Sequence, residues 1–349
     1  MSTRQFPSVQ RAGKLQPKKN RLFIGAYGFE KRSYGWSQYQ EKQGNILSSA
    51  LVFIYRRPKG ENCIGELKKA LSKIGISLPG EISYDVTEPY HIEDSIEKKL
   101  KNALSGVEEV IVDISTMTKL SILVTLCKLK DFNGMLRIVY TEAQDYAPTE
   151  KEYEEYKESM KKIAKFPSIG FETIIRTKCL SSIRMQGQPV TMIAFTSFNE
   201  QLISHMMGTI NPHRLLFING RSPRKDFSWR ERATYEIYKE LIEEYSANNP
   251  INGQGLLKRV ASTLDYKDTI KIINEIYSQY GNHERIICAA TGSKMQTIGL
   301  FFSKMIHSDI HMEYPTPDSY FVHRTAEGIR QVYEISIPHF SEFIDGISI

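Results

Sequence analysis

The chain is short of the features that would place it at once. No apolar run approaches the roughly 18–20 residues needed to cross a bilayer, and the N-terminus has no apolar segment of the signal-peptide kind. Only four cysteines occur (Cys63, Cys127, Cys179 and Cys288), and none stands in Cys-x-x-Cys spacing. Neither a zinc site nor a disulfide frame is indicated, and a reducing, cytoplasmic setting is the expectation. Gly-x-x-x-x-Gly-Lys-[ST] is absent, and no Gly-x-Gly-x-x-Gly follows the first apolar run, which disfavours a Walker loop and a nicotinamide or flavin site. No cofactor is expected. His307 and His311 are four apart, but without an obvious third ligand no metal is expected either. No Ser/His/Asp or Cys/His arrangement can be assigned from the sequence.

Acids are missing from one stretch. Residues 1–21 carry Arg4, Arg11, Lys14, Lys18, Lys19 and Arg21 with no acid. Six of the 46 basic residues therefore lie there, leaving 40 basic against 40 acidic, so the formal charge of +6 belongs to this leader. Residues 1–20 read as a basic, disordered tail that can touch nucleic acid or an acidic partner weakly. The neutral body gives no sign of a nucleic-acid platform.

What the chain does have is one short loop written twice. Val110-Ile-Val-Asp-Ile-Ser-Thr-Met-Thr-Lys119 and Arg285-Ile-Ile-Cys-Ala-Ala-Thr-Gly-Ser-Lys294 each run from an apolar stretch through small hydroxyl residues to a lysine and an apolar helix. A strand that turns through small residues into a helix presents free backbone N–H groups and a positive dipole end, which suits an anion. Other landmarks keep the same order and nearly the same offset. Ile24–Phe29 matches Ile193–Phe198 at 169, Val52–Arg57 matches Leu216–Arg221 at 164, and Tyr140 and Tyr146 match Tyr314 and Tyr320 at 174, beside 175 for the loops. An internal repeat of that length in 349 residues means two domains.

Apolar runs alternate with helical periodicities in each half, which argues an α/β fold of two tandem Rossmann-like, mainly parallel-sheet domains. The first domain is expected over 21–148, with strands at Leu22–Ala26, Leu47–Tyr55, Glu81–Val86, Val110–Ile114 and Arg137–Thr141. Val110–Ile114 has no polar alternation, as befits a strand covered on both faces. Residues 149–188 read as an exposed connecting helix and an extra strand. The second domain is expected over 189–349, with strands at Val190–Phe195, Arg214–Ile218 and Arg285–Ala289. A helical insertion is expected near 246–280, and Tyr320–Val322 with Gln331–Ile337 reads as a hairpin.

In open α/β sheets ligands bind beyond the carboxyl ends of the strands. The residues expected there are Tyr27, Glu30, Arg32, Arg57, Asp113, Ser115, Thr116, Thr118, Lys119 and Glu142 in the first half. In the second they are Arg221, Thr291, Gly292, Ser293 and Lys294. Hydroxyls, N–H groups, lysine and arginine suit a polyanion, and Tyr27 could stack on a base. Ser and Thr also cap helices whatever the function.

The Asp113-x-Ser115-x-x-x-Lys119 and Thr291-Gly-Ser-Lys294 loops resemble those of the CARF domain (CRISPR-associated Rossmann fold), and the set with Gly28–Ser33 and Tyr140–Ala143 resembles uncharacterised proteins of bacterial antiphage defence loci. The resemblance implies two domains side by side whose loops form one pocket for a cyclic or linear oligoadenylate. It implies a nucleotide-sensing protein of prokaryotic antiviral defence. No ribonuclease Arg-x4–6-His signature or catalytic domain stands in this chain, so the implied effector is a separate protein. An alternative is a ring-nuclease-like hydrolase on the same site, with Glu30, Asp113 or Glu142 as base. Another is a non-catalytic assembly or adaptor protein. A homodimer stays open, and no membrane partner is expected. The halves differ, Asp113 being matched by Cys288 and Glu30 by Asn199, which points to an asymmetric ligand or one degenerate site.

Overall fold

A computed structural model describes residues 6–17, 19–55, 63–85, 91–163, 166–248 and 259–348. The chain is an α/β protein built on two large, mainly parallel sheets. It divides into two compact units: Pro7–Tyr146 with Thr325–Ile347, and Ala147–Arg324 with Phe6 and Ser348.

In the first unit Arg21–Ala26 is a fully buried strand. It lies parallel between Glu109–Asp113 and Ser49–Tyr55, with Gly80–Tyr84 beyond the latter and Met135–Glu142 beyond the former. Continuous apolar runs such as Leu22-Phe-Ile24 and Val110-Ile-Val112 suit strands covered by helices on both faces. Two antiparallel strands complete the sheet: Gln331–Ile337 pairs with Met135–Glu142, and Gln10–Arg11 pairs with Gln331–Ile337.

Two expectations are corrected here. Residues 6–17 are not a disordered tail. Gln10–Arg11 is a strand, Ala12 N–H donates to Val332 O at 2.9 Å, and Ala12 and Leu15 are buried in the core. The signal was faint because two apolar side chains do this work amid basic neighbours. Arg4 and Lys18 lie outside the described residues. The C-terminal hairpin is also absent: Tyr320 pairs with Ser168, whereas Gln331–Ile337 joins the first unit's sheet rather than the second's.

In the second unit Val190–Phe195 occupies the corresponding central place. Arg285–Ala289 and then His311–Thr316 lie parallel on one side, Arg214–Arg221 and then Arg259–Ser262 on the other. Thr173–Ile175 closes the edge, antiparallel to His311–Thr316. The described part of the insertion expected near 246–280 is therefore not purely helical. Arg259–Ser262 is an edge strand and Tyr266–Tyr280 the helix after it, while 249–258 lie outside the described residues. The four-residue strand, flanked by Arg and Ser, is too short and polar to show a strand period. Within 149–163 some side chains are less exposed than the charge there suggests: Tyr153 and Ile163 are buried with Phe198, Trp229 and Ala233.

The five parallel strands of each unit thus follow one order, and the four landmark pairs fall on corresponding elements of the two. Among the described residues no helix is long and apolar enough to cross a membrane.

Helices Tyr266–Tyr280 and Lys294–Ile306 touch at Gly299, where an added Cβ would lie 2.5 Å from Thr269 Cβ and 2.6 Å from Tyr266 O. Gly299→Ala raises helix propensity by about 1 kcal/mol, but the helices must separate. A net loss of about 1–2 kcal/mol is expected in urea unfolding. A more stable variant would show that the contact yields.

Candidate functional site

The central strand and the one that carries the loop lie side by side in each unit, and the chain leaves them toward opposite sides. Their carboxyl ends therefore mark the topological switch point, the usual place for a ligand. Thr116 sits there in the first unit, donating from Oγ1 to Ala26 O at 2.9 Å. Thr291 does the same in the second, donating to Phe195 O at 2.7 Å. Gly28 lies so close to Thr116 that an added Cβ would come within 2.8 Å of its Cβ.

Around the first loop, most polar side chains are already used. Ser115 is fully buried; its hydroxyl donates to Asp113 Oδ1 and accepts from Thr141 N–H at 2.8 Å. These two residues staple adjacent strands. Thr118 caps the helix Lys119–Leu129, its Oγ1 accepting from Ser121 N–H at 3.1 Å. The Thr118 N–H donates to Tyr55 Oη at 2.9 Å, and Tyr55 Oη donates to Ser121 Oγ at 3.3 Å.

Lys119 differs. It is the first residue of its helix, partly buried, and among the described residues no carboxylate pairs with it. Burial pushes its amine down to about 8. A cation there also faces the positive end of the helix dipole. The N–H groups of Thr116, Met117, Lys119 and Leu120 likewise find no partner among the described residues. Desolvated amine and unbonded amides together form a locus of unbalanced positive charge.

Other expected residues are placed elsewhere or committed. Arg32 is buried and ion-paired with Glu30, with Nε 2.9 Å from Oε2, and its guanidinium lies 5.4 Å from the centre of the Tyr146 ring. Its Nη1 reaches Tyr140 Oη at 3.4 Å. Glu142 is buried, 3.8 Å from Arg330 Nε. Glu30 and Glu142 are therefore ion-paired, and Asp113 is held through its Oδ1. Tyr27 is packed in the core rather than presented for stacking, and burial raises its hydroxyl to about 12, with Glu81 adding to the shift. Arg57 lies outside the described residues.

In the second unit Ser293 caps Lys294–Ile306 in a reciprocal box: its Oγ accepts from Gln296 N–H at 3.1 Å, and its N–H donates to Gln296 Oε1 at 2.8 Å. Lys294 opens that helix and is not without a partner. Gly292 is required: a Cβ would lie 2.4 Å from Gln296 Oε1 and 2.9 Å from Phe195 Cβ. Arg221 is exposed and bound to Glu231 at 2.7 and 2.8 Å. The structure thus gathers Thr116, Thr118 and Lys119 at one strand end and Thr291 to Lys294 at another, and leaves Arg221 tied to Glu231.

Tyr55, Ser121 and Gln296 were not anticipated. Ser293-x-x-Gln296 is a legible capping box; Tyr55, at the end of an apolar strand, carries no such signal. Among the described residues no three His, Cys, Asp or Glu side chains group as metal ligands.

No protein-family model matches the sequence, and no curated protein does. Solved structures give fold likenesses. One is a type III CRISPR defence DNA nuclease activated by cyclic oligoadenylate, at 9% identity, covering 88% of this chain and 68% of that one, with a TM-score of 0.47. Another is Can2 from Sulfobacillus thermosulfidooxidans in complex with cyclic tetra-adenylate, at 8% identity, 84% and 95% coverage, and a TM-score of 0.25. A third is the UDP-GlcNAc 2-epimerase from Neisseria meningitidis, at 10% identity, 82% and 91% coverage, and a TM-score of 0.23. At these TM-scores the likenesses decide nothing about what this chain binds.

Proposed function

We propose that the chain binds an oligonucleotide second messenger at its strand-end loops, as a sensor in prokaryotic antiviral defence that acts through a separate effector protein. The observation that carries the proposal is Lys119: a desolvated amine at a helix N-terminus, with no carboxylate partner among the described residues and beside unbonded N–H groups. Such a group raises the energy of the empty protein, and a phosphate would relieve it by charge-assisted hydrogen bonds. The matching strand order, the Thr116 and Thr291 contacts and the recurrent offsets support an internal duplication. The ligand class comes from the resemblance of the two loops to CARF loops. Cyclic oligoadenylate is the class named for the first two solved structures above.

The sensor reading is preferred to the hydrolase because two of the acids available as a base, Glu30 and Glu142, are tied to Arg32 and Arg330, and Asp113 is buried and bonded through Oδ1 to Ser115. Titration calorimetry of the intact chain against cyclic and linear oligoadenylates is expected to show binding without turnover. Lys119→Ala should weaken it about tenfold or more, as loss of a charge-assisted bond does. Binding unaffected by that variant would remove the proposed site, and cleavage of the ligand would replace the sensor by an enzyme.

A further inference from the structure

We infer that the two loops are unequal: the side chain of Gln296 occupies the second from within, leaving the first as the anion-binding loop, one equivalent per chain. This rests on the anion-site reading above. The second loop, Thr291-Gly-Ser-Lys294, is by sequence the more phosphate-like of the two, with a glycine where close backbone approach would be needed. Its space is nevertheless taken.

The difference lies in three positions that change together. In the first unit Tyr55 stands opposite Tyr84 on adjacent strands, and the third residue past the helix cap is Ser121. In the second, strand register puts Gly220 in the place of Tyr55, one residue along from the sequence match, since Ala26 faces Phe53 as Phe195 faces Ile218; Gly220 stands opposite Ala261, and the third residue past the cap is Gln296. Two large rings with a small hydroxyl residue are thus exchanged for two small residues with a long amide. Tyr55 reaches across to Thr118 N–H from its strand. Gln296 reaches back over its own loop. It is only 2% exposed, and its Nε2 donates to Ala261 O at 3.3 Å. Its Oε1 takes the Ser293 N–H and sits 2.4 Å from where a Cβ on Gly292 would be. An amide oxygen in that place accepts the bond a phosphate oxygen would accept. Ser293 Oγ is also used, donating to Thr263 O at 2.9 Å, and Lys294 is already engaged. In the first loop the cap N–H is likewise taken, by Tyr55 from the neighbouring strand, but the residue in the place of Gln296 is the short Ser121, and the N–H groups of Thr116, Met117, Lys119 and Leu120 and the Lys119 amine make no bond among the described residues.

The test is calorimetry on the intact chain with two probes, inorganic pyrophosphate and cyclic tetra-adenylate, on wild type, Lys119→Ala, Lys294→Ala and Gln296→Ala, each checked by thermal melt. One equivalent on wild type, weakened about tenfold by Lys119→Ala and less than about twofold by Lys294→Ala, is the expected result. A second equivalent on Gln296→Ala would add that this side chain is what closes the loop. Two equivalents on wild type, or equal losses in the two lysine variants, would overturn the inference while leaving the anion-site reading intact. A folded Gln296→Ala chain that stays at one equivalent would overturn the role of Gln296. No binding of either probe to wild type would overturn the reading beneath it.

Discussion

Replacing Glu109 by glutamine is expected to destabilise the chain by about 3–5 kcal/mol, the usual result of removing one member of a buried ion pair. Glu109 is 1% exposed and takes Arg21 Nε at 2.6 Å on one oxygen and Arg137 Nε at 2.9 Å on the other. Arg137 continues to Glu334 at 2.7 Å on the C-terminal strand, and Arg21 donates to the carbonyl of Gln16 at 2.6 Å. The network therefore ties the N-terminal segment, three strands of the parallel sheet and the antiparallel strand added from the far end of the chain. Glutamine keeps the shape but leaves two guanidinium groups without this counter-charge. Burial alone would raise the Glu109 carboxyl; the hydrogen bond from Arg21 and the charges of Arg137 and Arg21 outweigh it and hold the group below its ordinary 4.5. A carboxylate depressed in the folded state contributes stability that is present above its unfolded pKa and lost as pH falls through the folded one. The gap between wild type and Glu109→Gln should therefore be full at pH 7 and narrow below about pH 4.5. Urea unfolding at pH 7 and pH 3.5 measures both; a variant within 1 kcal/mol of wild type at pH 7 would show that the two arginines find other partners.

The same strands show why some of the fold was legible and some was not. Val190–Phe195 and Arg285–Ala289 were placed to the residue, because a parallel strand buried on both faces is a continuous apolar run and its ends are where polarity resumes. His311–Thr316 was missed because His, Glu and Pro interrupt its run, although every one of its residues is buried. Its polarity is balanced inside: His311 Nε2 and Glu313 Oε1 are 3.2 Å apart, and Arg176 reaches the same oxygen at 2.7 Å. Partner choice was the larger failure. Gln331–Ile337 has a good strand pattern, but a period of two does not say which strand it joins, and its partner, Met135–Glu142, lies more than half the chain away. Residue types placed the two strand-to-helix turns correctly, yet Arg32 with Glu30 and Tyr27 in the core show that a residue beyond a strand end can be used by its own unit. Spacing places a side chain near a site; only the neighbours show whether it is free to act.

Lys119→Met is expected to do two opposite things: stabilise the empty protein at neutral pH and weaken anion binding about tenfold or more. The amine titrates near 8 in the folded chain because burial disfavours its charge, against 10.5 as the ordinary value. Below pH 8 both folded and unfolded chains hold the proton, and the folded chain bears the full cost of a poorly hydrated cation. Between 8 and 10.5 the unfolded chain binds more protons than the folded one, so wild-type stability rises with pH. Above 10.5 the amine is neutral in both states and the cost is gone. Methionine, of similar length and without charge, removes that cost at every pH. The gain should be about 1–2 kcal/mol at pH 7, allowing for water that reaches a partly exposed amine, and should fade as pH climbs through 8 to 10.5. Binding follows the opposite logic, since only the protonated lysine attracts an anion. Wild-type affinity for oligoadenylate should fall as pH rises through about 8, and a bound ligand should carry that midpoint upward by stabilising the charged form. Thermal melts of wild type and Lys119→Met from pH 6 to 10, with and without ligand, read both effects. A variant that loses stability at pH 7, or a wild-type affinity flat across pH 8, would mean that Lys119 is balanced by something other than a ligand. A gain in stability joined to a loss of binding is the signature of a residue kept for what it binds, because among the described residues no carboxylate favours its charge.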